Sequence, residues 1–278
     1  MDPPMQKHRT VITPSIGWLS VDLREIWAYR ELLWILAWRD VSVRYKQSIV
    51  GIGWAIIQPV MTMIIFTIIF GKFAKLPSDG IPYPVFAFCA LLPWNYFARS
   101  LGDSSDSLVG SSQLITKVYF PRLILPISKV FAGIIDLIIA FIILLGMMVW
   151  YRIVPTAGIL LLPVFIFVAM LAALGVGFWF TALNVLYRDV KFVVPFLIQF
   201  WMYASPVAYS TSLVPDKWKW IYGLNPMVGV IEGFRWALLG KTAPLISMFI
   251  IPNFIVFVML ITGLYFFKRM EKTFADII

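Results

Sequence analysis

Stretches without acidic or basic residues alternate with short charged segments along most of the chain. A helix needs about 20 apolar residues to cross a bilayer, and six of these stretches are long enough, the third with Asp136 inside it. The pattern therefore predicts an all-α integral membrane protein with six transmembrane helices. The predicted spans cover residues 48–71, 82–102, 126–151, 159–186, 192–212 and 244–267, in a membrane domain of residues 47–267 between an N-terminal cytoplasmic segment (1–21) and a cytoplasmic tail (268–278).

Residues 22–46 are partly apolar but cannot form a span, because charges occur throughout the segment. With a helical period of about 3.6 residues, Trp27, Trp34 and Trp38 fall on one side of a helix. This pattern predicts an amphipathic helix in contact with lipid at the membrane interface. The helix either only anchors the chain in the inner leaflet or also contacts a cytoplasmic partner through its charged face.

A second apolar stretch, residues 220–231, is too short to cross the membrane. Tryptophans and tyrosines cluster around Asn225 and Pro226, which is typical of residues at the level of the lipid headgroups. We therefore expect short re-entrant or external helices over about residues 217–240, between the fifth and sixth spans.

The composition supports a membrane location, because 61% of the residues are hydrophobic and only 13% are charged. The formal charge of +9 comes from basic residues that lie between apolar blocks, which favours cytoplasmic loops and anionic headgroups over nucleic acid. With both termini inside, cytoplasmic Lys and Arg outnumber external ones about two to one. This distribution predicts that both termini are cytoplasmic.

The sequence offers little for catalysis or metal binding, since it contains one cysteine, Cys89, and one histidine, His8. Gly240-Lys241-Thr242 resembles the end of a phosphate-binding loop, but Arg235 occupies the position of the required earlier glycine. We therefore expect no catalytic residue, no metal and no cofactor in this chain, and we expect any ATP to be hydrolysed by another subunit.

Few charges fall within the predicted membrane spans, and such groups are functional candidates because an unpaired charge is costly in a bilayer. The candidates are Arg99 in the second span and Asp136 in the third span. They could form a structural pair, but their estimated depths differ by about 10 Å at the rise of an α-helix. The sequence leaves their partners open.

The fifth predicted span carries an aromatic residue at every third or fourth position, which places these residues on one helix face. The face consists of Phe192, Phe196, Phe200 and Tyr203. It either packs against lipid and neighbouring helices or lines a path along which sugar rings or an acyl chain slide.

Two predicted cytoplasmic connections, residues 111–122 and 187–191, mix apolar and basic residues where a plain linker would be polar. Their basic residues could simply follow the preference for positive charge on the cytoplasmic side. Composition alone does not decide whether they also bind a partner.

Several short motifs, taken together and in this order, resemble the permease subunit of bacterial type-2 ABC exporters of polysaccharide. The resemblance extends from Trp38 to Met227 and thus covers most of the chain. The motifs are Trp38-Arg39-Asp40-Val41, Arg44-Tyr45-Lys46-Gln47, Gly51-Ile52-Gly53-Trp54 with Gln58-Pro59, Leu92-Pro93-Trp94, Lys117-Val118-Tyr119-Phe120-Pro121-Arg122, Leu183-Asn184-Val185-Leu186-Tyr187-Arg188-Asp189-Val190 and Leu224-Asn225-Pro226-Met227.

The resemblance implies a homodimer of six-span subunits in the bacterial cytoplasmic membrane, with two ATPase subunits that use ATP and Mg²⁺. It implies export of a lipid-linked polysaccharide such as O-antigen, capsule or teichoic acid. It also implies that the ATPase acts on the loop between the second and third spans and on the amphipathic helix. The residues carried over to this coupling are Lys117, Tyr119, Pro121, Arg122, Arg188, Asp189, Arg39 and Arg44.

A channel lined largely by the first and fifth spans is implied as well. This adds Trp54 to Phe196, Phe200 and Tyr203 as candidate residues of the substrate path.

Other functions remain open, including a permease for another amphipathic or lipid substrate. An ion-coupled transporter would need more intramembrane acidic groups than Asp136 alone. A membrane-embedded glycosyl- or acyltransferase would need converging acids, histidines or a metal cluster, which this sequence lacks.

Overall fold

The computed structural model describes residues 23–46, 51, 53–240 and 246–277, and every regular element in these residues is a helix. The predicted segment 1–21, His8, Lys241 and Thr242 lie outside the described residues. The helices are α1 (Leu23–Ala28), α2 (Arg30–Lys46), α3 (Gly53–Phe66, continued by the π-helical turns Thr67–Phe73), α4 (Tyr83–Ser105), α5 (Ser112–Lys117), α6 (Ile124–Trp150), α7 (Leu162–Leu186), α8 (Val190–Tyr203), α9 (Lys219–Tyr222), α10 (Pro226–Leu239) and α11 (Ile246–Ile277).

Four helical segments of the described residues are long and apolar enough to cross a membrane. They are Gly53–Phe73, Ile124–Trp150, Ala157–Leu186 and Phe249–Phe274. Helix α8 is apolar but has only 14 residues, and α4 is interrupted in its apolar character by Pro93, Asn95 and Arg99. The all-α class is thus confirmed for the described residues, whereas the count of six spans remains a prediction.

Helix α4 forms the centre of the bundle, and its side chains from Val85 to Leu92 are almost completely buried. It packs against α3, α6, α7 and α10. Because other helices surround it, its polar side chains can meet protein groups instead of lipid. This position explains how Arg99 can lie within an otherwise apolar segment.

The helix predicted for residues 22–46 is divided at Tyr29 into α1 and α2, although hydrogen bonds continue across the division. Helix α2 packs on α6 through a narrow buried face of Leu36, Ala37 and Val41. The tryptophans predicted to lie on one side of this segment share an exposed face beside the buried one. These tryptophans are Trp27, Trp34 and Trp38.

Helix α8 ends at Tyr203, short of the boundary at 212 that the sequence predicts for the fifth span. Pro206 disfavours a helical conformation in the residue before it. Asn225 then fixes the helix end, because its Nδ2 donates to the carbonyl of Ala204 at 3.1 Å and to the hydroxyl of Ser205 at 2.9 Å. The apolar run after Tyr203 therefore forms turns.

Asn225 also begins α10, since its Oδ1 accepts the backbone N–H of Met227 at 3.0 Å. Pro226 follows as the first helical residue, a position where its missing N–H costs nothing. The same Oδ1 accepts the indole N–H of Trp201 at 2.9 Å. One asparagine thus joins α8 to the start of α10.

Helices α7 and α11 approach so closely that their backbones touch at two glycines. A Cβ atom at Gly263 would lie 2.2 Å from the carbonyl oxygen of Gly175. Beside this contact, the rings of Trp179 and Phe266 stack with centroids 4.3 Å apart. Small residues commonly allow such close packing between membrane helices, and α7 and α11 therefore form a tightly joined pair.

Replacement of Gly263 by alanine should destabilise the fold by about 1–3 kcal/mol, because the new methyl group meets a backbone atom that cannot rotate away. Gly146→Ala is the matched control, since a Cβ at this position on α6 meets nothing within 4 Å. Thermal unfolding of the two purified variants in detergent checks this. A parental unfolding temperature for Gly263→Ala would contradict the close approach.

Candidate functional site

Four charged side chains from three helices form one cluster, which we call the charge cluster and define as Arg44, Arg99, Asp103 and Asp136. Arg44 of α2 pairs with Asp136 of α6, and its other terminal nitrogen lies 2.7 Å from Asp103 of α4. Arg99 of α4 pairs with Asp136 at 2.8 Å. The cluster contains two cations and two anions and is therefore formally neutral.

The hydroxyl of Tyr45 donates to the second oxygen of Asp136, so that both carboxylate oxygens have partners. Such complete pairing offsets the loss of water around a carboxylate on an otherwise apolar helix. A second ion pair, between Lys129 and Asp40 at 2.9 Å, joins α6 to α2 nearby. Arg39 lies on the exposed side of α2 and pairs with Asp40 at 3.0 Å.

The structure thus pairs Arg99 with Asp136, which the sequence left open, and adds Arg44 and Asp103. Arg44 was expected at an ATPase contact, but its guanidinium is engaged inside the chain. Its partners lie 59 and 92 residues away, and neither helical periodicity nor a short motif reveals contacts over that separation.

The connection between α4 and α6 contains α5 and presents Lys117 and Tyr119 to solvent, whereas Phe120 and Pro121 are buried beneath it. Partial loss of hydration and the nearby Glu25 carboxylate raise the pKa of Tyr119, and Glu271 acts in the same direction. The ends of α1 and α11 therefore flank this connection.

Arg122 differs from the exposed residues before it, because it contacts α11. Its guanidinium donates to the main-chain carbonyl of Glu271 and lies over the ring of Phe274, with 5.9 Å between Cζ and the ring centroid. The structure therefore places Arg122 at an intramolecular contact and leaves Lys117 and Tyr119 accessible.

In the connection between α7 and α8, Arg188 and Asp189 are both exposed. The carbonyl of Asp189 accepts the N–H groups of Phe192 at 2.9 Å and Val193 at 3.2 Å, which starts α8. These two charged side chains border a tight turn between two helices.

The aromatic face of α8 is exposed in this chain. The exposed fractions of Phe192, Phe196, Phe200 and Tyr203 are 69%, 68%, 66% and 54%. Trp54, near the start of α3, is similarly exposed and belongs to a mainly apolar face of that helix. The aromatic face of α8 is thus available to lipid, to a second copy or to a substrate.

Beside Phe200 lies an apolar groove of about 330 Å³, which we call the α8 groove. Its wall is formed by α4, α7 and α8. The other lining residues are Leu101, Phe180, Val194, Leu197, Trp201 and Ala204.

Arg235 on α10 is fully buried. It pairs with Glu232 at 3.0 Å, and its Cζ lies 3.7 Å from the ring centroid of Phe86. It also donates to the main-chain carbonyls of Val207 and Tyr209. The side chain thereby fixes the loop after α8 onto α4, a role that no local sequence signal reveals.

Within the described residues, no group of three or more His, Cys, Asp or Glu side chains is arranged to hold a metal ion. The charge cluster and Arg235 are paired with neighbouring charges or with main-chain carbonyls, whereas the exposed faces of α3 and α8 are apolar. This arrangement defines a helical membrane protein built around apolar surfaces.

Comparison with known proteins identifies the family to which this helical membrane protein belongs. Residues 31–239 match the family model described as ABC-2 type transporter, and the chain therefore belongs to this family. The permease family consists of transport subunits rather than enzymes.

Among similar proteins are two named O-antigen export system permease protein RfbA. The protein from Myxococcus xanthus is 30% identical over 77% of this chain and 82% of its own length. The protein from Klebsiella pneumoniae is 30% identical over 89% of this chain and 95% of its own length. The polysialic acid transport protein KpsM of Escherichia coli is 25% identical over 84% of this chain and 91% of its own length.

Replacement of Asp136 by asparagine should lower stability by about 2 kcal/mol, because it leaves Arg44 and Arg99 with one anion between them. Removal of one cation as well, in Asp136→Asn with Arg99→Gln, should recover part of the loss. Thermal unfolding of the purified variants measures both effects.

The matched control for this prediction is Asp216→Asn, which breaks an exposed pair with Lys219. Exposed ion pairs contribute little to stability, so this variant should unfold like the parent. Equal stability of Asp136→Asn and Asp216→Asn would show that the charge cluster does not hold the helices together.

Proposed function

We propose that this chain is the membrane subunit of an ATP-driven exporter that moves a lipid-linked polysaccharide across the bacterial cytoplasmic membrane. The observation that carries the proposal is the extent of the match to the O-antigen permease of Klebsiella pneumoniae, which covers 89% of this chain. KpsM is named for polysialic acid, a different polymer. Together these relatives support polysaccharide as the substrate class.

The ATPase is a separate subunit in this proposal. Membership of an ABC family supports it, and so does the conformation of Gly240. This glycine has a φ of +70° and ends α10 in a left-handed conformation. Such glycines are common at helix ends, and this accounts for Gly240 without a phosphate-binding loop.

The ATPase contacts the cytoplasmic connections and the amphipathic segment, with both termini of the chain on the same side. The exposure of Lys117, Tyr119, Arg188 and Asp189 supports this assignment, because these side chains are free to meet a partner. Arg39 is an exposed cation of α2 and takes part in the same contact. Pro121 acts from beneath by fixing the shape of the connection.

The substrate path runs along the aromatic face of α8 and the exposed face of α3 that begins near Trp54, and a second copy of the chain completes it. Flat aromatic rings suit a moving glycan, because many weak contacts hold it without a fixed register. The α8 groove suits the lipid carrier, since its lining side chains are apolar.

The proposal is tested by co-producing this chain with the ATPase subunit of its exporter and measuring surface polysaccharide and ATP hydrolysis. We expect export only when both subunits are present and no ATP hydrolysis by this chain alone. Export at the parental level in cells that lack this chain would contradict the proposal.

The path assignment predicts that Phe196→Leu, Phe200→Leu and Tyr203→Leu, combined, reduce export by about threefold or more while the protein still assembles. Leucine keeps apolar bulk but removes the flat ring, whose contacts are worth about 1 kcal/mol each. Surface polysaccharide per assembled complex is the measurement.

The matched control replaces Phe254 and Phe257 by leucine, because these aromatic residues are similarly exposed on α11. We expect parental export from this control. Parental export from the triple variant of α8 would mean that its aromatic face serves packing and that the path lies elsewhere.

A further inference from the structure

The side chain of Arg122 attaches the C-terminal part of α11 to the connection between α4 and α6. We call this attachment the C-terminal latch and define it as Arg122, the main-chain carbonyl of Glu271 and the ring of Phe274. The guanidinium both donates to the carbonyl and covers the ring.

Phe274 belongs to a row of aromatic rings that leads from the latch into the bundle. It is fully buried, and its centroid lies 5.3 Å from that of Phe267 in an edge-to-face arrangement. Phe267 in turn lies 5.7 Å from Phe178 of α7. Phe274 of the latch is therefore in contact with the aromatic side chains that join α11 to α7.

The pair formed by α7 and α11 moves most easily as one body, because backbone atoms meet at Gly175 and Gly263. Packed helices of this kind shift between discrete arrangements rather than deform continuously. Helix α7 leads directly through the turn at Tyr187–Asp189 into α8. A displacement at the latch is therefore passed to the start of α8.

We propose that the C-terminal latch transmits the movement of the connection between α4 and α6 to the pair α7 and α11, and through it to α8. Arg122 and Phe274 are positioning residues in this route, and they act within the chain. The inference rests on the proposed function, because it assumes that an ATPase moves the connection.

The two contacts of the latch suit arginine. A planar guanidinium can donate along its edge and at the same time lie over an aromatic ring with its face, whereas the ammonium group of lysine is a point charge that has no separate edge and face for two such contacts. Arg122→Lys therefore keeps the charge and removes one of the two contacts. Phe274→Leu keeps most of the buried apolar volume and removes the ring.

The test uses the complete complex of this chain with its ATPase and measures polysaccharide exported per ATP hydrolysed. We expect each of Arg122→Lys and Phe274→Leu to lower this ratio by about threefold or more. The double variant should be no worse than the stronger single variant, because both changes remove the same contact. Phe257→Leu, an exposed residue on the same helix, should keep the parental ratio.

The outcomes separate the two proposals. Failure of the parental complex to export polysaccharide overturns the proposed function. If the parent exports, an unchanged ratio in both single variants overturns the latch. A fall in export that is matched by an equal fall in ATP hydrolysis also overturns it, since the contact then only maintains the fold. Arg122→Lys changes a partly exposed residue, so this variant gives a result even where Phe274→Leu fails to assemble.

Discussion

The packing of α2 and α4 on α6 depends on the charge of Asp136. A carboxylate on an apolar helix is tolerated when its partners surround it, and here the partners come from α2 and α4. Because the charge of Asp136 must be paired, α2 and α4 lie where Arg44 and Arg99 can reach this carboxylate on α6. Helix α2 has a narrow buried face, and the ion pairs of Arg44 and Asp40 hold it against the bundle. An amphipathic pattern alone would leave it free to slide along the membrane surface.

The same constraint acts at the other end of α4. Arg235 is fully buried, and Glu232, Phe86 and two main-chain carbonyls surround its guanidinium. Asn225 adds hydrogen bonds that end α8 and begin α10. Polar groups therefore fix both ends of the central helix to its neighbours. Between these ends, the exposed faces of α3 and α8 are apolar and remain available to a partner.

The sequence predicts the long helices well, because long apolar runs determine α3, α7 and most of α11, and the only charged residues of α6 are Lys129 and Asp136. It predicts the length of α8 poorly, since the turn after Tyr203 depends on Asn225, which lies about 20 residues further along.

The pairing of Arg99 with Asp136 was left open because depth along one helix does not include the tilt and stagger between two helices. The burial of Arg235 was missed for a related reason, since only the folded chain brings Phe86 to it. Exposure of the α8 aromatic face does not distinguish lipid from substrate, and its role therefore stays a proposal.

The packing suggests which part of the molecule can move. Helices α7 and α11 touch through their backbones, and α2, α4 and α6 share the charge cluster, so both groups resist small displacements. Helix α8 buries little more than Val190 and Val194 and is held at one end by a tight turn and at the other by Asn225. A helix with few buried contacts can change its position at lower cost than one inside a close-packed core. The path that we propose for a long polymer needs such an element, because its wall must yield to successive repeat units while the pair α7 and α11, to which we assign the transmission of movement, stays rigid.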